Sequence, residues 1–261
     1  MNRYVSTSRL LAAITAAALF AAGCGDDSED TATGGPPTAG DTAEFCAAAL
    51  AFENPPDPDI DFETATPEEL AAGTTAYAED TLRPLAERLQ ATAPDEIADV
   101  ADAVLAVVDE VAATGEFAPF EDPAFSELAA AGEAFTDEEC GWSRHEVTAV
   151  DYAYQGLPET VDAGVVRLSM SNEGAEPHEV TLFRKDDGVT ESADELLALP
   201  EGEVEDLVTF VGQAFAEPGD QASVVGELEP GEYVAVCFIP VGGEDGPPHF
   251  TEGMVGEFIV E

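Results

Sequence analysis

The stretch GEYVAVCFIPVGGEDGPPHFTEGMVGEFIVE, residues 231–261, decides the fold of the C-terminal half of this chain. Residues 232–239 and 255–260 are rich in β-branched and aromatic side chains, which suits two strands. Between them lies a loop punctuated by Pro240, Gly242, Gly243, Gly246, Pro247 and Pro248. Cys237 falls near the end of the first strand. His249 follows after eleven intervening residues, and Met254 after four more. Such side chains are scarce here: the whole chain has four cysteines, three histidines and three methionines. Their gathering in one strand–loop–strand unit asks for a chemical reason.

Upstream, period-two patterns at 147–154, 164–171, 179–184 and 222–228 predict further strands. Asn172-Glu173-Gly174 and Glu229-Pro230-Gly231 are turns. Many short strands separated by turns predict an all-β sandwich over residues 146–261. One interruption, 191–217, reads as a helical insertion broken near Pro200-Glu201-Gly202. His145 reads as linker, and Met170 as core of a strand.

Residues 42–143 read differently, as a small all-α helical bundle. Residues 42–52 are Ala-rich. Thr66-Pro67-Glu68-Glu69 starts a helix, with Thr as N-cap, Pro at the first position and Glu closing a capping box. Pro84 predicts a kink or a break within it. Ile97, Val100, Val104, Leu105, Val108 and Val111 then form one apolar face, ended by Gly115. A last helix covers 123–140. The fold class is therefore α+β in two modules.

The first residues read as an export signal. Arg3 and Arg9 precede an apolar run at 10–20, too short to span a bilayer comfortably. Ala21-Ala22-Gly23-Cys24 follows and resembles the bacterial lipobox, with Ala21 where Leu is usual. The resemblance implies a signal peptide over 1–23 and a lipid on Cys24, on the outer face of the cell membrane. An ordinary signal peptide cut nearby is the alternative. Residues 24–41 are rich in Gly, Pro, Thr and Asp without apolar periodicity and read as a flexible linker. In an oxidising compartment spare thiols pair. Cys46 and Cys140 flank the helical region, and a disulfide between them would tie its ends. That leaves Cys237. The Cys near the start and Glu139-Cys140-Gly141-Trp142 resemble helical modules of exported actinobacterial proteins.

A fourth side chain joins the C-terminal group. His178 sits in Asn172-Glu-Gly-Ala-Glu-Pro-His178-Glu-Val-Thr-Leu-Phe, at a turn leading into a strand. Taken with Cys237, His249, and Gly253-Met254-Val-Gly-Glu-Phe-Ile-Val260, residues 146–261 resemble the cupredoxins, the blue-copper family. The resemblance implies a Greek-key sandwich binding one type 1-like copper through His178, Cys237, His249 and Met254. Thiolate and two imidazoles make a trigonal site with a distant thioether, and thiolate disfavours hard cations. Such a site carries single electrons, with the His249 imidazole as the exit to a partner. Cys237 would then stay unpaired for a reason.

The chain departs from the family in three places. Eleven residues between Cys237 and His249 make a longer loop than small cupredoxins have. Glu179 stands where Asn is common, and a carboxylate there favours Cu(II). Phe238 stands where enzymes feeding a catalytic copper have His, so an electron carrier is expected rather than an enzyme. Two other functions stay open: copper capture or delivery without electron transfer, and a metal-free interaction module.

Charge excludes other classes. Fifty-six acidic residues face eight basic ones, for a formal net charge of -48. Such a surface repels nucleic acid and anionic headgroups, so membrane contact is expected through the lipid anchor alone. No phosphate-binding Gly loop, nucleophile elbow or His-Glu-x-x-His motif occurs. Asp57, Asp59, Asp61 and Glu63 alternate in a Pro-rich loop and read as solvated rather than as a Ca²⁺ site. The redox partner or copper donor is not legible.

Overall fold

The computed structural model describes residues 39–261, except 61, 63, 244 and 245. The proposed leader, Cys24, the linker up to residue 38, Asp61 and Glu63 lie outside the described residues. Two compact units emerge, one over Gly141–Glu261 and one built from the helices before it. Among the described residues no helix is long and apolar enough to cross a membrane.

The helical unit contains α1 (Ala39–Glu53), α2 (Pro67–Tyr77), α3 (Arg83–Thr92), α4 (Ala98–Thr114) and α5 (Pro123–Glu139). Helix α1 begins at Ala39, so the last three residues of the expected linker are helical. The capping box forms as expected: Thr66 Oγ1 accepts from the Glu69 N–H at 3.3 Å, and Glu69 Oε2 accepts from the Thr66 N–H at 2.9 Å. Of the two readings of Pro84, the break holds: the α-helix is interrupted just ahead of it. A π-helical turn, Ala78–Leu82, separates α2 from α3 and leaves Pro84 in the first turn of α3, where its missing N–H costs nothing. Gly115 closes α4 at φ 71°, a left-handed cap. Phe45 packs edge-on against Phe135, and Tyr77 against Phe117. The Cys46–Cys140 disulfide joins α1 to the residue following α5.

The C-terminal unit is the two-sheet sandwich that the resemblance implies. Its strands are β1 (Ser143–Val150), β2 (Ala153–Gln155), β3 (Thr160–Val161), β4 (Gly164–Asn172), β5 (His178–Lys185), β6 (Val208–Ala216), β7 (Gln221–Leu228), β8 (Gly231–Val236) and β9 (Val255–Val260). One sheet has the order β2-β1-β4-β7 and the other β3-β9-β8-β5-β6. Three expectations need correction. The sheet starts at Ser143, so His145 lies in β1 rather than in a linker. The 147–154 pattern is two strands, β1 and β2, paired as a hairpin. The insertion is helical only in α6 (Ala193–Leu197) and α7 (Glu201–Val204). Its later part, β6, is a strand antiparallel to β5, because Val208-Thr-Phe-Val211 is β-branched and aromatic.

Register explains why the scarce side chains meet. Strand β5 pairs antiparallel with β8, Thr181 opposite Val236, and β8 with β9, Val236 opposite Val255. The start of β5, the end of β8 and the start of β9 therefore lie side by side. Those ends carry His178, Cys237 and Met254. The interior below them is apolar, with Val180, Met170, Ala214, Ala235 and Phe258 buried.

Candidate metal centre

His178 opens β5 and is fully buried. Asn172 builds the turn before it. Its Oδ1 accepts from the Gly174 N–H at 2.9 Å, and its Nδ2 donates to the Glu176 and Ala216 carbonyls, each at 2.9 Å. This Asx turn aims the chain into β5. Gly174 is required by proximity: a Cβ there would lie 2.4 Å from Asp151 Oδ1 and 2.5 Å from His178 Nε2.

Cys237 follows β8, also fully buried. Its N–H donates to the Met254 carbonyl at 3.2 Å, and its Sγ accepts from the Glu179 N–H at 3.5 Å. The long loop after it is a hairpin. The Val241 N–H donates to the Pro247 carbonyl at 2.9 Å, and Pro240 and Pro248 form an antiparallel bridge. The loop's return leg sets His249 beside Cys237, its N–H donating to the Ile239 carbonyl at 2.8 Å. The Phe250 N–H then reaches the Cys237 carbonyl at 3.0 Å. Loop length is no obstacle, since residues 240 and 241 pair with 248 and 247.

The donor atoms converge. His178 Nδ1 and His249 Nδ1 are 3.1 Å apart, and Cys237 Sγ is 3.4 Å from His249 Nδ1. All three donors lie within 4.8 Å of one another and all are buried. Metal bonds of about 2.0 Å to nitrogen and 2.3 Å to sulfur would place trigonal donors about 3.5 Å apart. The two pairs that include His249 fit this within a few tenths of an ångström.

The outer edges of both imidazoles carry a partner that the sequence did not single out. His178 Nε2 is 2.8 Å from Asp151 Oδ1, and His249 Nε2 is 3.1 Å from Glu176 Oε2. Both carboxyls are held below their ordinary range. The Ala175 N–H does this chiefly for Asp151, and the Gly242 N–H for Glu176. Ionised carboxylates only accept, so each Nε2 is assigned the ring hydrogen. Both Nδ1 atoms then present lone pairs to each other at 3.1 Å. Lone pairs that close repel unless a cation or a proton sits between them. Burial pushes the His178 pKa down, which keeps the ring in its neutral, metal-ligating form. It pushes the Cys237 thiol well up, with the buried Glu179 carboxyl adding to the effect. Only a bound cation would draw out a thiolate at neutral pH there. The donor set thus fits one copper ion: two imidazoles, one sulfur, shielded from water.

Two sequence expectations change in detail. The His249 imidazole, expected as the exit to a partner, does not reach solvent. It is fully buried, with the Tyr152 ring 4.6 Å away and Glu176 on its edge. Glu179 does not direct its carboxylate at the metal position. Oε1 accepts from the Phe238 N–H at 2.8 Å and Oε2 from Gln213 Nε2 at 2.6 Å. Burial pushes this carboxyl up to about 7, against the pull of those bonds. Its work is to fasten the Cys237 loop to β5. Met254 is buried in the same core cluster as Cys237, and its N–H donates to the His249 carbonyl at 3.1 Å. His145 stays apart, its Nε2 3.1 Å from Ser143 Oγ. For Asp151 no sequence signal stood out among fifty-six acids. Glu176 offered only its place two residues before His178.

No family model and no curated protein matches the chain. Solved structures do resemble it. Dithionite-reduced auracyanin of Roseiflexus castenholzii is 19% identical, over 46% of this chain and 97% of that one, with a TM-score of 0.32. Auracyanin A, a "blue" copper protein of Chloroflexus aurantiacus, is 17% identical, over 45% and 98%, with a TM-score of 0.30. Rusticyanin of Thiobacillus ferrooxidans is 16% identical, over 46% and 78%, with a TM-score of 0.29.

Proposed function

We propose that the sandwich binds one type 1-like copper, which His178, Cys237, His249 and Met254 would hold, and that the protein carries single electrons. The observation that carries this is the convergence of two imidazole Nδ1 atoms and one thiol in a buried cluster. Copper bound there supplies a reversible Cu(II)/Cu(I) couple. The protein's part is to fix the donors. Three of the four sit at the aligned ends of β5, β8 and β9, so neither oxidation state can reshape the site freely.

Full burial of His178, Cys237 and His249 favours electron carriage over copper delivery, because a metal handed to another protein needs an approachable ligand. Phe238 beside Cys237 supplies no histidine for a second, catalytic copper, so a carrier is proposed rather than an enzyme. The proposal extends to cell placement: residues 1–23 as a leader and Cys24 as the lipidated anchor, outside the cell membrane. The Cys46–Cys140 disulfide accords with an oxidising compartment. The partner would be a redox protein able to approach an acidic surface.

Copper titration of the full chain tests this. One equivalent should bind and should then accept and return one electron in a redox titration. A copper content near zero after desalting, or copper that leaves at once to a chelator, would contradict it.

A further inference from the structure

The copper reading uses only the inner nitrogens of His178 and His249. Their outer nitrogens carry a second arrangement. Each Nε2 meets a carboxylate from outside its own element: Asp151, from the turn joining β1 and β2, and Glu176, from the turn before β5. Each carboxylate is itself held in place. Asp151 Oδ2 accepts from the Ala175 N–H at 3.0 Å. Glu176 Oε2 accepts from the Gly242 N–H at 2.9 Å, and its Oε1 from the Tyr152 hydroxyl at 3.1 Å. Gly174 leaves room for the first pair, since a Cβ would collide with both of its members. Both pairs are therefore fixed by the fold.

Resting on the copper reading, we propose that Asp151 and Glu176 are positioning residues that set the oxidation-state preference of this site. A carboxylate accepting the outer N–H fixes the ring hydrogen on Nε2 and turns Nδ1 toward the metal. It also pushes electron density onto the ring, which makes Nδ1 a stronger donor. A stronger, partly anionic donor stabilises Cu(II) more than Cu(I), because the extra positive charge gains more. Two such pairs act in the same direction, so the site is biased toward Cu(II) and toward a low reduction potential. The same carboxylates, with side chains 31% and 27% exposed, form the wet rim of an otherwise dry centre.

The test uses the full chain with Asp151→Asn, Glu176→Gln and the double variant. Glu252→Gln serves as a control; Glu252 is exposed on the same turn as His249 and carries the same charge change. Potentiometric titrations are run at high salt, with the thiolate-to-copper band and circular dichroism recorded for every variant. An intact band shows that the donors still converge. Loss of each carboxylate should lower the ratio of Cu(II) to Cu(I) affinity about tenfold. That corresponds to about 59 mV upward for a one-electron couple. The double variant should move further, and Glu252→Gln much less. Intact bands with potentials no different from the control would overturn this proposal and leave the copper reading standing. A variant that loses the band but keeps its fold would support it, as a ring freed from its carboxylate turns away. Wild-type protein that retains no copper would overturn both.

Discussion

His178 Nδ1 and His249 Nδ1 lie 3.1 Å apart, although 71 residues separate them in the chain. Neither can point elsewhere, because Asp151 and Glu176 hold their other nitrogens. The core packing of the sandwich supplies the rigidity, and the carboxylates supply the direction. The cluster is thus a consequence of strand register joined to two outer hydrogen bonds.

Gly174→Ala should damage the site without touching a ligand. A methyl there falls 2.4 Å from Asp151 Oδ1 and 2.5 Å from His178 Nε2, so the pair must separate. Loss of such an outer partner typically costs 10- to 100-fold in metal affinity. Competition with a copper chelator measures it. Unchanged affinity would mean that the turn shifts to absorb the methyl.

The direction of charge should govern electron exchange. With a formal net charge of -48, the copper-reduced protein should be oxidised faster by a small cationic complex than by an anionic one. Added salt should slow the first reaction and speed the second, since screening weakens both the attraction and the repulsion. Stopped-flow rates at two ionic strengths decide it. Equal rates with no salt dependence would count against the acidic rim as the point of approach.

Much of this was legible beforehand, for physical reasons. His178, Cys237 and His249, which the structure brings together, could be picked out because His and Cys are scarce and sit at strand ends or on the loop between two strands. The capping box at Thr66 was legible because its chemistry is local. Strand β6 was not: its Val and Phe residues satisfy a helical pattern as well as an extended one, and only pairing with β5 decides. Asp151 and Glu176 were hidden by abundance, since any acid in so acidic a chain looks like solvated surface. The burial of His249 depends on the hairpin of the 237–249 loop, a long-range outcome of Pro240 pairing with Pro248.

In the helical unit, Thr66→Ala should cost about 1 kcal/mol of that unit's stability. The Glu69 carboxyl is held below its ordinary value of 4.5, first by the Thr66 N–H and then by the Thr66 hydroxyl. A depressed carboxyl adds stability above that value and loses it as pH falls through the folded pKa. Wild type should therefore lose stability on acidification through this range more steeply than Glu69→Gln. Thermal melts between neutral and acid pH, followed by far-ultraviolet dichroism, check the sign.

Removing the disulfide should weaken the same unit. Cys46 and Cys140 are 94 residues apart, and a loop of that length restricts the unfolded chain by about 4–5 kcal/mol at most in the chain-entropy view. The Cys46→Ser, Cys140→Ser double variant should unfold at lower denaturant concentration, by about 2–5 kcal/mol. Its copper band should persist, because Cys237 is a separate, unpaired thiol. A lost band would show that the copper site depends on the stability of the helical unit.

The most direct measurement of the central claim is the visible spectrum of the full chain after addition of one equivalent of Cu(II), beside the same protein carrying Cys237→Ser. An intense thiolate-to-copper band in wild type, absent from the variant, is the predicted result. Wild type that shows no such band and loses its copper on desalting would contradict the metal centre itself.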